Sequence, residues 1–234
     1  MCQECGCEDV ENKTIIVNKS LTETNDAIAH SLWHKLQEKE IFCVNILGAP
    51  GSGKTSVLEG ISEYIPASEM AVIQGDLESD IDKQRLEKKS IKTHQINTHS
   101  ACHLNAQLIK DALTNFDLSG KKYLFIENVG NLVCPAGVKI GQHLDIVVSA
   151  TTEGSDKAKK YPIIFHNAKL ALISKYDLAK TVEFDEEQYS KDVKEANEKI
   201  KLLKTSSKDI QSFKEIADYL SHEREHILGH AHKH

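Results

Sequence analysis

Arginine is almost missing from this chain: Arg85 and Arg224 are the only two in 234 residues. Enzymes that pass phosphoryl groups between metabolites commonly fold a guanidinium-lined lid over the phosphates, and two arginines leave little for one. That weighs against a small-molecule kinase. Basic excess is missing as well. Lysine and arginine number 29 against 35 acidic residues, a net charge of −6, so there is no basic field to hold a nucleic acid, and protein partners are expected. No apolar run approaches the ~20 residues of a membrane span. The start, Met1-Cys2-Gln3-Glu4-Cys5, lacks the pattern of a signal peptide, and the chain is expected to stay in the cytoplasm. Six cysteines are kept reduced there, so close spacing among them reads as metal or redox chemistry before it reads as a disulfide framework.

What the chain does have is Gly48-Ala49-Pro50-Gly51-Ser52-Gly53-Lys54-Thr55, after an apolar run from Ile41 to Leu47 and before a helix-like stretch from Ser56 to Tyr64. The pattern G-x-x-x-x-G-K-[ST] between strand and helix is that of a loop wrapping a phosphate chain. Gly48, Gly51 and Gly53 let the backbone bend with no obstructing Cβ, so that N–H groups point inward at a helix N-terminus. Lys54 is expected to reach the β and γ phosphates and Thr55 to offer its hydroxyl to Mg²⁺, with Ser52 and Ser56 among the nucleotide contacts.

Further apolar runs alternate with helix-like segments, which predicts an α/β domain: a mostly parallel central sheet flanked by helices on both faces. Met70 to Gln74 ends at Gly75-Asp76, where a carboxylate beside the phosphate loop can hold Mg²⁺ directly or through water. Asp80 and Asp82 open the helix Lys83 to Lys89; both suit N-caps, and Asp82 is also a candidate to position water. Tyr123 to Ile126 runs into Glu127-Asn128-Val129-Gly130, the pattern by which P-loop switch proteins hold the Mg²⁺ shell with the carboxylate and sense the γ-phosphate through the glycine N–H. Lys54, Asp82 and Glu127 are the catalytic candidates. Leu170 to Ser174 closes in Ser174-Lys175-Tyr176-Asp177. The Asp177 carboxylate can accept both guanine N1–H and N2–H₂ while the Lys175 stem covers the base plane. Ser206 and Ser207, in the polar loop after Lys201 to Leu203, suit the guanine O6, and an amphipathic helix from Ile210 to Leu228 seals the sheet.

Soft ligands come in separate groups. Cys2, Cys5 and Cys7 put three thiols in six positions. With the α-amine exposed by removal of Met1 they form an S₃N set suited to planar Ni(II), whereas zinc would want a tetrahedral fourth ligand from elsewhere. A redox Cys-x-x-Cys is the alternative. Residues 8 to 20 read as a polar linker, and a helix capped by Thr22 or Thr24 follows, with Ile28, Leu32, Trp33 and Leu36 on one face. His30 and His34 share a helix face with no third ligand nearby and read as solvated. Cys102 and His103 precede a helix from Leu104 to Phe116, whose N-terminal dipole would favour a thiolate; a structural cysteine is the plainer alternative. Cys134 lies four residues beyond Gly130. If Cys102, His103 and Cys134 meet, a metal site is joined to a loop that moves with the nucleotide. Five histidines crowd the last thirteen positions, from His222 to His234, and read as a metal-loading tract, with an expression remnant as the alternative that their interrupted spacing disfavours.

These residues together resemble the HypB family of hydrogenase nickel-incorporation GTPases, in the SIMIBI class of P-loop proteins. The likeness runs from about residue 22 to residue 220. It is most specific in the phosphate loop, in Gly75-Asp76 with Asp82, in Ala101-Cys102-His103-Leu104 and in the stretch from Glu127 to Pro135. It implies a slow GTPase that dimerises with GTP and metal. Cys102, His103 and Cys134 would bind nickel or zinc at the dimer interface, and Cys2, Cys5 and Cys7 would be a high-affinity nickel motif. The implied partners are a nickel accessory protein of the HypA type and the [NiFe]-hydrogenase large subunit. Related urease nickel GTPases carry Cys-Pro-His, whereas Ala136 follows Cys134-Pro135 here, so the hydrogenase pathway leads, with urease delivery or a nickel buffer as alternatives. Ser174 stands where GTPases usually have the Asn of Asn-Lys-x-Asp, which predicts a weaker hold on GTP. The expected organisation is a cysteine segment and linker (1–20), an N-terminal helix (21–40), a GTPase domain (41–220) and a histidine-rich tail (221–234).

Overall fold

The computed structural model describes residues 7–76, 80–98 and 101–229, with only the backbone course given for residues 7–20 and Asp76. Its centre is β1 (Phe42–Gly48), buried along its whole length and apolar but for Asn45 and the closing glycine, as a strand covered on both faces should be. Around it lie β2 (Met70–Asp76), β3 (Lys92–Asn97), β4 (Tyr123–Glu127), β5 (Leu144–Ala150), β6 (Leu170–Ser174) and β7 (Lys201–Lys204). They form one sheet in the order β3-β2-β4-β1-β5-β6-β7, and every neighbouring pair is parallel. Strand order turns around beside β1, so the crevice for a ligand opens at the C-terminal ends of β1, β4 and β5.

The helices are α1 (Cys7–Glu38), α2 (Lys54–Ile61), α3 (Ile81–Lys88), α4 (Ala106–Asn115), α5 (Lys157–Lys160), α6 (Pro162–Asn167), α7 (Glu186–Ala196) and α8 (Lys214–Gly229). On one face of the sheet α2, α3 and α8 bury Val57, Leu58, Leu86, Ile216 and Leu220 against Phe42, Val44, Phe125 and Ile146. On the other, α1 and α4 cover Cys43, Ile73 and Leu124, and α5 to α7 cover Val147, Ala171 and Ile173. The expected α/β layers are present, and the sheet is parallel throughout.

Several boundaries differ from expectation. The backbone of residues 8–20 is helical and continuous with α1, where a linker was expected; with neither proline nor glycine there, nothing local interrupts the helix. Helix α2 starts at Lys54, with Gly53 in a left-handed conformation as its N-cap. Helix α4 starts at Ala106, because the Asn105 side chain caps it by accepting from the Leu108 N–H at 2.9 Å. The final helix is split into a 3₁₀ turn, Ile210–Phe213, and α8. Helix α7, capped by Asp185, is not anticipated by the sequence reading. No described helix is long and apolar enough to cross a membrane.

Candidate nucleotide and metal site

The phosphate loop is built by close contact and by left-handed backbone. A Cβ on Gly48 would sit 2.5 Å from the Val148 carbonyl oxygen, and Gly51 and Gly53 have φ of 73° and 92°. Lys54 is folded back on its own loop, its Nζ donating to the carbonyls of Gly48 at 3.3 Å and Ala49 at 3.1 Å. The loop forms one wall of a cleft whose other walls include Gln74, Asp82, Glu127, Gly130 and Lys175. Thus Lys54, Thr55, Ser56, Asp82 and Glu127, predicted from separate stretches, share one cleft. Asp76 ends β2 next to it, with its side chain outside the described residues, and Ser52 is buried beneath the loop.

Glu127 is buried, and both its oxygens are engaged: Thr55 Oγ1 donates to Oε1 and Gln74 Nε2 to Oε2, each at 2.8 Å. Burial raises its pKa, opposed chiefly by the Lys54 charge and then by these hydrogen bonds. A hydroxyl and a buried carboxylate meeting beside a phosphate loop are hard oxygen donors that fit Mg²⁺. Asp82 is held by Arg85, whose guanidinium reaches Asp82 Oδ1 at 2.8 Å, Glu59 Oε2 at 2.6 Å and Ser56 Oγ at 3.1 Å.

The switch loop is pressed onto the phosphate loop. A Cβ on Gly130 would lie 2.8 Å from Pro50 N and 2.9 Å from Pro50 Cα. Asn131 donates its N–H to the Gly48 carbonyl at 3.1 Å, and its side chain accepts the N–H groups of Val133 and Cys134 at 2.7 and 3.1 Å. One short run therefore reaches from the cleft to Cys134.

At the end of that run the Cys102 thiol lies near the Cys134 thiol and 3.5 Å from His103 Nδ1. The Cys134 thiol, foremost, raises the Cys102 pKa. This corrects the expected dipole effect: Cys102 lies four residues before α4, whose terminus Asn105 has already capped. Among the described residues no group of three or more His, Cys, Asp or Glu side chains is arranged to hold a metal. One chain thus presents a thiol pair with a histidine beside it, an open set. The expected ligands Cys2 and Cys5 and the tail from 230 to 234 lie outside the described residues, and for Cys7 only the backbone is given.

On the far side of the loop, Ser174, Lys175, Thr205 and Ser207 share a pocket with Gly53 and Ser56. The Ser174 hydroxyl donates to the Ser52 carbonyl, and the Thr151 hydroxyl holds the Lys175 carbonyl at 2.8 Å. Asp177 accepts from Ser206 Oγ at 2.7 Å and pairs with Lys208 at 3.0 Å, contacts that lower its pKa in that order. Gln74, Arg85 and Asn128 escaped the sequence reading. Only Arg85 carried a local signal, its place three residues after Asp82 on one helix.

A parallel sheet, a glycine-built phosphate loop and a buried acidic switch define a P-loop nucleotide-binding protein of the SIMIBI type. The chain belongs to the CobW/HypB/UreG family, whose nucleotide-binding domain matches residues 42–204, and within it to HypB. The hydrogenase/urease maturation factor HypB of Helicobacter hepaticus is 36% identical over 220 residues, covering 92% of this chain and 90% of that protein. The crystal structure of HypB from Helicobacter pylori in complex with nickel superposes with a TM-score of 0.84 at 33% identity, covering 88% of this chain and 97% of that one. A signal recognition particle protein of Aeropyrum pernix in complex with GDP shares the fold alone, at 13% identity and a TM-score of 0.54, over 82% of this chain and 49% of that one.

Proposed function

We propose that this chain is a GTP-hydrolysing nickel carrier that helps insert nickel into [NiFe]-hydrogenase. The observation that carries the proposal is the run from Glu127 to Cys134, which has one end in the nucleotide cleft and the other at the Cys102/Cys134 thiol pair. Nickel is the cargo. In the pathway, Cys2, Cys5 and Cys7 hold it first, and the open set of Cys102, His103 and Cys134 is completed by a second copy when GTP brings two chains together. Zn²⁺ is a second metal that such thiolates accept. An accessory protein of the HypA type and the hydrogenase large subunit are the proposed partners, in the cytoplasm.

In the cleft, Lys54 leaves the Gly48 and Ala49 carbonyls for the β and γ phosphate oxygens, for which its ammonium is a better partner. Thr55, Glu127 and Asp76 are the residues that would hold Mg²⁺ there, Thr55 through its hydroxyl and the two acids through their carboxylates. When bound, Mg²⁺ neutralises charge on the β,γ oxygens. Asp82, held by Arg85, orients the attacking water. Asp177, aimed by Ser206, reads guanine. Arg85 is committed to Asp82 and Glu59, so turnover by the isolated protein is slow.

The test is titration of Ni²⁺ and Zn²⁺ with light scattering, with GDP and with a non-hydrolysable GTP analogue, on wild type and Cys102→Ala. Dimerisation and internal-site affinity that both respond to GTP, and lose the coupling in Cys102→Ala, support the switch. Metal binding indifferent to nucleotide makes the protein a nickel store and sinks the proposal. The combined name of the Helicobacter hepaticus relative also favours delivery to urease. A deletion strain that loses urease but keeps hydrogenase would put that reading first.

A further inference from the structure

Asn128 lies next to Glu127 and takes no part in the steps above, yet it is 2% exposed and bonded on three sides. Its Oδ1 accepts two main-chain N–H groups, Leu104 and Val129, each at 3.0 Å. Its Nδ2 donates to Asn45 Oδ1 at 3.2 Å, and Asn45, inside β1, donates in turn to the half-buried Asp145 at 2.7 Å. An interior amide is costly unless its partners are all in place, and a satisfied buried network fixes one arrangement of the elements it joins. The elements joined here are the rigid strand β1, the switch loop and the segment carrying Cys102 and His103, because Leu104 follows His103 directly.

We propose that Asn128 is a positioning residue that couples the nucleotide cleft to the thiol pair. The inference rests on the reading that metal binding responds to GTP. Gly130 touches the backbone of Pro50, so a phosphate that shifts the phosphate loop shifts Val129 and Gly130 with it. The Asn128 oxygen sits between Val129 and Leu104, and its other end is fixed to β1. A displacement of Val129 therefore changes the hold on the Leu104 N–H, and with it the separation of Cys102 from Cys134. Both thiols are tied to the switch, Cys134 through Asn131 and Cys102 through Asn128, by side-chain amides rather than by the sheet.

The test uses full-length protein with Cys2, Cys5 and Cys7 replaced by alanine and the five histidines of the tail by asparagine, so that Ni²⁺ titration reads the internal site, in GDP and in a non-hydrolysable GTP analogue. In this background the expected ratio of the two affinities is about tenfold. Asn128→Ala is expected to bring it within about twofold of unity while leaving GDP affinity nearly unchanged. Asn128→Asp, which keeps the acceptor for Leu104 but loses the donor to Asn45, is expected to give a ratio between the two. An undiminished ratio in Asn128→Ala overturns the role of Asn128 and leaves the switch standing; a ratio of one without any change at Asn128 overturns both. Amide hydrogen exchange at Leu104 in the unsubstituted protein decides the matter if Asn128→Ala does not fold. Its rate is expected to differ between the two nucleotides, and equal rates overturn the coupling.

Discussion

The Ser174 hydroxyl donates a hydrogen bond to the main-chain oxygen of Ser52, joining the end of β6 to the phosphate loop. A side chain shorter than the usual asparagine reaches because Gly53 brings the loop close: even a Cβ on Gly53 would be 3.6 Å from the Ser174 oxygen. The substitution that predicts a weaker hold on GTP thus keeps one of the contacts a longer amide would make.

Ser174→Ala should therefore loosen the loop without touching base selection. Losing one buried hydrogen bond costs about 1 kcal/mol, roughly a fivefold weaker affinity, felt by guanine and adenine nucleotides alike. Asp177→Ala should instead weaken guanine nucleotides selectively. Competition against a fluorescent GDP by GTP and ATP separates the two. Equal selectivity in both variants would show that Asp177 does not read the base.

Gly130→Ala places a methyl group against Pro50 backbone, and neither loop can yield by rotating a side chain. The expected result is a displaced switch costing about 1–3 kcal/mol, with nucleotide still bound but no GTP-dependent dimer in light scattering. A dimer that forms as in wild type would show that the contact between the loops is incidental.

Arg85 holds Asp82 from the next turn of α3 and anchors itself on Glu59. Arg85→Ala frees Asp82, so kcat for GTP should fall about tenfold, a part of what a positioned acid–base group supplies. Nucleotide affinity should stay within about twofold. An equal loss in KM alone would assign Arg85 to substrate binding and remove Asp82 from the chemistry.

How much of this could be read from the chain depends on how local each cause is. The phosphate loop was legible because its glycines, lysine and threonine act within eight consecutive residues, and the central strands because burial on both faces leaves nearly continuous apolar runs. Cys134 beside Gly130 was legible by adjacency. The meeting of Cys102 with Cys134, and of Asn128 with Leu104, is set by how β4 and the loop before α4 pack, which no short pattern reports. The thiolate expectation at Cys102 failed for a readable reason: Asn105 is a strong N-cap, and giving it weight would have moved the helix start beyond His103. The extent of α1 and the existence of α7 were hidden by polar sequences whose helicity depends on the absence of breakers and on the Asp185 cap.

His143 gives a prediction about acid. Its ring lies largely buried near Phe42 and Trp33, and that burial lowers its pKa from 6.5 to about 4, so the folded protein holds it neutral; its Nδ1 accepts the Cys43 N–H at 2.9 Å. In the unfolded chain the ring takes its proton near pH 6.5; in the folded protein it resists to about pH 4. Between those values the unfolded state binds more protons, so stability is lost as pH falls through that window, by at most about 3 kcal/mol, and no further below it. Burial raises the pKa of Asp145 and Glu127, which work in the opposite direction, so the comparison must be between variants. His143→Asn keeps an acceptor for Cys43 and removes the titration. Thermal unfolding from pH 7 to pH 4.5 should show the substituted protein losing less stability than wild type, with the gap widening as pH falls; parallel curves would mean that the ring takes up its proton without leaving the fold.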